Sequence, residues 1–189
     1  MKKIAIFASG TGSNARNIIR YFQDNEEISV ALVMSNRSKA HVLKVQDEFG
    51  VPTMVCKRTK FYETTDLLND LAAHDIDFIV LAGFLWLIPS YLVTAFPNKI
   101  INIHPALLPK YGGKGMYGKH VHEAVYAAKE TETGITIHYV NEKYDEGQIV
   151  FQAKTTLTTD DTPDTIAKKV HQLEYLHFPK VIEGLLIDQ

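Results

Sequence analysis

Short apolar runs alternate with helical spacings over roughly the first hundred residues, and this restricts the chain to few architectures. Phe78-Ile79-Val80-Leu81-Ala82 is apolar throughout, as a parallel strand covered on both faces must be. Ile4 to Ala8, Ile28 to Met34, a short run near Thr53 to Cys56, and Ile100 to Ile103 also read as strands. Helices are expected between them, over about Ser13 to Phe22, Ala40 to Phe49 (stopped by Gly50 and Pro52), Thr65 to His74, and Pro89 to near Phe96. Repeated βαβ units build a parallel sheet with helices on its faces. After residue 118 the pattern changes. A helix near Val121 to Ala128 precedes two alternating runs, Ile135 to Val140 and Ile149 to Ala153, expected to continue the same sheet as edge strands. A terminal helix over about Thr162 to Leu186 places Pro163 in its first turn, where proline is tolerated. The fold expected is α/β: one doubly wound, mostly parallel sheet flanked by helices, Rossmann-like in its N-terminal half. Without repeats, low-complexity tracts or a linker, residues 1–189 read as one domain.

In such sheets ligands bind where the strands end. The fifth expected strand ends in Asn102-Ile103-His104-Pro105-Ala106-Leu107-Leu108-Pro109, and Asp145-Glu146-Gly147 follows some forty residues later. Residues i and i+2 of an extended segment share a face, so the Asn102 amide and the His104 imidazole converge. A carboxylate such as Asp145 arriving there raises the imidazole pKa and fixes its orientation. Amide, imidazole and carboxylate together polarise a carbonyl, stabilise an oxyanion and move a proton. The spacing suits acyl transfer.

Ser9-Gly10-Thr11-Gly12-Ser13-Asn14-Ala15 lies between the first strand and the first helix. Its glycines let an anion approach the backbone, and the helix start supplies free N–H groups and partial positive charge. The run also satisfies G-x-G-x-x-A, but a dinucleotide site expects an acid at the end of the second strand. That strand ends Met34-Ser35-Asn36-Arg37, with no acid, although Arg37 suits a 2′-phosphate. A single phosphate is the favoured ligand.

Composition narrows the partners. The net charge of −2 offers no electrostatic footprint for nucleic acid, so an anionic substrate must be held locally. The single cysteine, Cys56, excludes an internal disulfide and fits a reduced compartment. The N-terminal apolar run is too short for a signal-peptide core, and no run is long enough to span a membrane. A cytoplasmic protein is expected. His120-Val121-His122 looks like a metal pair, but i and i+2 diverge on a helix and no third ligand accompanies them, so no metal is expected. Gly83-Phe84-Leu85-Trp86-Leu87-Ile88-Pro89, at the same sheet edge as Asn102, can wall a pocket for a flat heterocycle.

Four segments in order resemble the folate-dependent formyltransferases, in particular the branch of purine synthesis that acts on glycinamide ribonucleotide. They are Gly10-Thr11-Gly12-Ser13-Asn14, Leu81-Ala82-Gly83-Phe84, Asn102 to Pro109, and Gly134-Ile135-Thr136-Ile137-His138-Tyr139-Val140 with Tyr144-Asp145-Glu146-Gly147. The resemblance covers essentially the whole chain. It implies the formyltransferase fold, 10-formyltetrahydrofolate as co-substrate, and formyl transfer to the amine of glycinamide ribonucleotide. The partners expected are these two small molecules, with no metal, nucleic acid or membrane, and the oligomeric state is left open. By resemblance, Gly12, Ser13 and Asn14 hold the ribonucleotide phosphate and Glu174 contacts its ribose. Leu85, Trp86, Leu87 and Ile88, with Asn102, Asn141 and Glu142, line the folate pocket. His104 acts as general acid toward the formyl oxygen, helped by Asn102, while Asp145 raises the His104 pKa.

The chain also departs from that pattern. A folate-contacting arginine is missing: its place falls on or near Thr64, with Arg58 or Lys60 as substitutes. A second arginine position is Trp86, and the glycine-rich loop Gly112 to Lys119 is longer than expected. Whether His120 or His122 matches the family's additional active-site histidine stays open. Among other readings, methionyl-tRNA formyltransferase carries a further C-terminal domain, formyltetrahydrofolate deformylase a further N-terminal one, and sugar-nucleotide formyltransferases are longer. An NADP-dependent reductase or a non-catalytic nucleotide module leaves Asn102, His104 and Asp145 unexplained.

Overall fold

The pleat of the first strand sorts the core into two layers. In β1 (Lys2–Phe7), Ile4 and Ile6 face one side of the sheet and Ala5 and Phe7 the other, and all four are fully buried. The computed structural model describes residues 1–187; Asp188 and Gln189, the end of the expected domain, lie outside the described residues. Six strands join β1: β2 (Ile28–Ser35), β3 (Thr53–Val55), β4 (Phe78–Leu81), β5 (Ile100–His104), β6 (Glu132–Tyr139) and β7 (Ile149–Thr156). They form one sheet in the order β3-β2-β1-β4-β5-β6-β7. The pairings among β1 to β5 are parallel, and β6 and β7 add antiparallel at the edge, as expected.

On the Ile4 face lie α1 (Ser13–Tyr21), α2 (Val45–Phe49, entered through a 3₁₀ turn at His41–Lys44), α6 (Lys119–Ala127) and α7 (Pro163–Ile187). The Phe7 face carries α3 (Arg58–Glu63), α4 (Leu67–Ala73) and α5 (Ser90–Ala95). Sequence spacing misses α3 and starts α4 too early. Thr64 explains the break: its Oγ donates to the Lys60 carbonyl and accepts the Asp66 N–H, so a turn separates two short helices. No helix among the described residues is long and apolar enough to cross a membrane.

Helix α7 contains Pro179, which the periodicity does not reveal. Proline has no N–H, so the carbonyl of Tyr175, four residues back, loses its helical partner. The Asn17 side-chain amide on α1 donates to that carbonyl at 3.0 Å. Asn14 bonds Glu174, and Tyr21 and Asn25 bond Glu183, so α1 and α7 are laced along one edge. This lacing carries the middle of α7 to the start of α1.

Candidate active site

The chain leaves β1 in one direction to build β2 and β3, then returns to build β4 and β5 on the other side. That switch point opens a crevice beyond the strand ends. A cavity of about 580 Å³ occupies it. Its lining runs from Ser9–Asn14, past Asn102 and His104, to Leu85–Ile88, with Gly113–Gly118 and Lys143–Asp145 along the rim.

At one end is the glycine loop. Gly12 caps α1 at φ 78° without a side-chain cap, so the first N–H groups of the helix are free of side-chain acceptors. A Cβ at Gly12 would lie 2.6 Å from the Val42 side chain, so both conformation and space require glycine. Ser9 ties this loop to the next: its N–H donates to the Gly83 carbonyl and its hydroxyl accepts the Leu85 N–H, both at 3.0 Å. Gly12, Ser13 and Asn14 all line the cavity. Asn14, however, is not a free donor: its amide nitrogen bonds Glu174 at 2.8 Å. The same carboxylate oxygen, on a side chain buried among the helices, accepts His171 Nδ1 at 2.9 Å. This bond to Glu174 pushes the His171 pKa above the ordinary histidine value, against a smaller opposing effect of burial.

At the centre, Asn102 and His104 share a face at the end of β5, and Asp145 meets both. Asp145 Oδ2 lies 3.5 Å from His104 Nδ1 and accepts the Gly113 N–H at 2.9 Å. His104 Nε2 hydrogen bonds the Tyr111 carbonyl at 2.7 Å. Both ring nitrogens therefore face acceptors, which favours the imidazolium. Burial opposes it and wins: the His104 pKa lies below the ordinary value, Asp145 and the Tyr111 carbonyl offsetting only part of the desolvation. Asp145 thus pulls the His104 pKa upward, but too weakly to offset burial. Burial also works against the Asp145 carboxylate, but the side chains of His138 and His104 and the Gly113 N–H outweigh it and hold its pKa low. Gly147 completes the Asp145-Glu146-Gly147 turn for a steric reason, since any Cβ there would strike the Tyr139 carbonyl oxygen.

Two residues that the sequence reading passed over organise this centre. Antiparallel pairing sets His138 opposite Asn102 and Thr136 opposite His104. His138 Nδ1 donates to the Tyr139 carbonyl, and Nε2 lies 3.1 Å from the Asn102 amide nitrogen and 3.6 Å from Asp145 Oδ1. The other amide contact of Asn102, to Asp145 at 3.4 Å, is long and weak. Thr136 donates to the Ala106 carbonyl and accepts the Leu108 N–H, pinning the loop after His104. The polar–apolar alternation of Thr136-Ile137-His138 is the signal that finds both, once β6 is placed beside β5.

At the far end, Leu85, Trp86, Leu87 and Ile88 form an apolar wall. Val140, Lys143 and Tyr144 face it, whereas Asn141 and Glu142 do not line the cavity. The Asn141 side chain is used locally, accepting the Lys143 N–H, and Glu142 is exposed. Of the two cations considered for this end, Lys60 is bound to Asp70 at 2.6 Å, while the Arg58 guanidinium lies over the Tyr62 and Trp86 rings. Of the histidine pair, His120 is exposed beside Glu123 and His122 is buried against the cavity. Burial and, next, His171 push the His122 pKa down.

The formyl transferase family model matches residues 2–182. The chain is 40% identical to the chloroplastic phosphoribosylglycinamide formyltransferase of Arabidopsis thaliana over 97% of its own length. It is 37% identical to the phosphoribosylglycinamide formyltransferase of Bacillus subtilis, over 98% of this chain and 95% of that one. It spans less of the plant relatives: 65% of the Arabidopsis protein and 61% of its Vigna unguiculata counterpart. The crystal structure of phosphoribosylglycinamide formyltransferase from Bacillus halodurans superposes with a TM-score of 0.86 at 33% identity, covering 98% of this chain and 96% of that one. A doubly wound sheet with an Asn-x-His strand end at its switch point, matched by one family model over nearly its whole length, is therefore a member of the formyl transferase family.

Proposed function

We propose that this chain acts in the cytoplasm as a single-domain phosphoribosylglycinamide formyltransferase. It would transfer the formyl group of 10-formyltetrahydrofolate to the amine of glycinamide ribonucleotide, giving formylglycinamide ribonucleotide. One observation carries this reading: a single cavity joins a phosphate cradle, an Asn–His–Asp centre and an apolar wall suited to a flat heterocycle. In the reaction the amine nitrogen bonds to the formyl carbon and the bond from that carbon to N10 breaks. The amine loses one proton and N10 gains one.

The ribonucleotide phosphate lies against the N–H groups of the α1 start at Gly12, Ser13 and Asn14, with Glu174 accepting from the ribose. Leu85 to Ile88 hold the folate ring system, with Val140 and Tyr144 opposite. His104, neutral before the chemistry, turns its Nε2–H from the Tyr111 carbonyl to the formyl oxygen. As negative charge grows on that oxygen the imidazolium becomes favourable, with Asp145 already in place beside Nδ1. Asn102 supports the same oxygen through the amide hydrogen released from its weak contact with Asp145, while His138 keeps the amide oriented.

Incubating the purified protein with both substrates should yield formylglycinamide ribonucleotide at the rate of tetrahydrofolate formation. Formate release without an acceptor amine would identify a hydrolase instead. Thermal protection by NADPH and none by a 5-deazafolate analogue would overturn the folate reading, since protection follows affinity by mass action.

A further inference from the structure

Two residues face the ring nitrogens of His104: Tyr111 through its carbonyl and Asp145 through its carboxylate. Both hold a left-handed backbone, at φ 56°. For a residue as bulky as tyrosine that conformation is uncommon, and it persists where the surroundings impose it. Tyr111 has an anchor of its own. Its hydroxyl donates to Glu130 Oε1 at 2.8 Å, and Lys110 Nζ donates to the same oxygen at 2.9 Å. The ring packs against the core layer on the Ile4 face. Two residues on, the Gly113 N–H donates to Asp145. One three-residue segment thus offers an acceptor to His104 and a donor to Asp145. Gly112 between them lies too close for a side chain, since a Cβ would press on Leu108 at 2.5 Å and on Asp145 at 3.3 Å. Neither Tyr111 nor Glu130 lines the cavity.

A carbonyl can only accept, and the 2.7 Å contact at Nε2 is far shorter than the 3.5 Å contact at Nδ1. In the neutral ring the single proton therefore resides on Nε2, the nitrogen from which the reaction needs a donor. The opposite tautomer would set a lone pair against the Tyr111 oxygen. We propose that Tyr111 is a positioning residue, whose hydroxyl bond to Glu130 holds its carbonyl on His104 and keeps the imidazole in the Nε2–H form until substrate takes that hydrogen bond. The inference rests on the acid role given to His104 and adds a chain of contacts that sets its tautomer from the protein surface. Asp145 does not supply this. Its carboxylate draws the proton toward Nδ1, so without the Tyr111 carbonyl the two tautomers compete. Glu130 acts at one remove: it touches the tyrosine hydroxyl, and the backbone of Tyr111 carries the effect to the imidazole.

Nitrogen NMR of labelled histidine, with the His104 signals assigned by their loss in His104→Gln, reports which ring nitrogen carries the proton. Steady-state kinetics reads the consequence. In the unaltered protein, at a pH where His104 is neutral, the proton should be found on Nε2. Tyr111→Phe keeps the ring and removes the hydroxyl, and Glu130→Ala removes the acceptor. In each, a measurable share of His104 should pass to the Nδ1–H form. The kcat should fall about tenfold, the scale of one hydrogen bond, with the KM of both substrates unchanged. Because the two act along one path, the double variant should be no slower than either. Glu130→Gln keeps a carbonyl oxygen for the hydroxyl and should restore most of the rate lost in Glu130→Ala. A proton on Nδ1 in the unaltered protein overturns the proposal. So does an unchanged tautomer in both variants, since any loss of rate would then come from a loosened loop. No formylglycinamide ribonucleotide from the unaltered protein would overturn the functional reading instead, and the tautomer measurement distinguishes the two failures.

Discussion

His104 and His171 line the same cavity, each beside a carboxylate, and they are driven in opposite directions. His104 lies 3.5 Å from Asp145 with 4% of its side chain exposed, and its pKa is lowered. His171 lies 2.9 Å from Glu174 with 48% exposed, and its pKa is raised. A partner at hydrogen-bond distance outweighs modest desolvation, whereas a longer ion pair cannot offset nearly complete burial. The imidazole at the centre of the cavity is therefore held toward its neutral form. The imidazole beside Glu174 keeps its proton to a higher pH than the one at the centre.

The comparison breaks most decisively in the kinetics. His104→Ala and Asp145→Ala should each lower kcat by about 10²–10⁴, the range for losing a positioned acid or its support. Because both act through one imidazole, the double variant should be little slower than the single ones. A full multiplication of the two losses in steady-state assays would separate Asp145 from His104.

Next in size is the glycine on which the phosphate end is built. Gly12→Ala forces a side chain into the left-handed region and against Val42. We expect destabilisation of about 2–4 kcal/mol in urea unfolding, from backbone strain and overpacking together. A midpoint unchanged from the unaltered protein would show that the loop relaxes freely and is no preformed cradle. Gly12→Val thus damages the fold as well as the site. Ser13→Ala is the cleaner probe, and it should weaken ribonucleotide binding by roughly 1–2 kcal/mol while sparing the folate. Equal weakening of both ligands would disconnect Ser13 from the phosphate.

The smallest effect concerns charge itself. A lowered pKa means the His104 contribution to stability is complete above its unfolded-state pKa and fades as pH falls through the folded one. For His171 the sign reverses: its contribution is complete below the unfolded pKa and fades as pH rises through the folded one. Melting curves across pH should accordingly lose part of their acid-side slope in His104→Gln and part of their alkaline-side slope in His171→Gln. In Asp145→Asn, NMR titration should find the His104 pKa lower still, because burial is then opposed by less charge. An upward movement would contradict the role assigned to the carboxylate.

Most of this architecture was legible in the sequence. The apolar strands, the glycine turn after β1, the Asn-x-His ending of β5 and Pro163 at the start of α7 each declare themselves within a few residues, because strand pleat, helix period and proline geometry are local. The adjacency of Asn102 and His104 follows from that periodicity alone. The missed features have a common cause. Helix α3 hides in a segment whose break depends on the Thr64 side chain. His138 gains meaning only when β6 lies antiparallel against β5, and His171 only when α7 is laced to α1 through Asn14, Asn17 and Tyr21. By itself, the sequence determined the order of strands and helices and which residues stand at the strand ends. The tertiary structure alone decided which imidazole is held toward its neutral form and which toward its charged form, because desolvation sums over every element packed around a group, and those elements are distant in the chain.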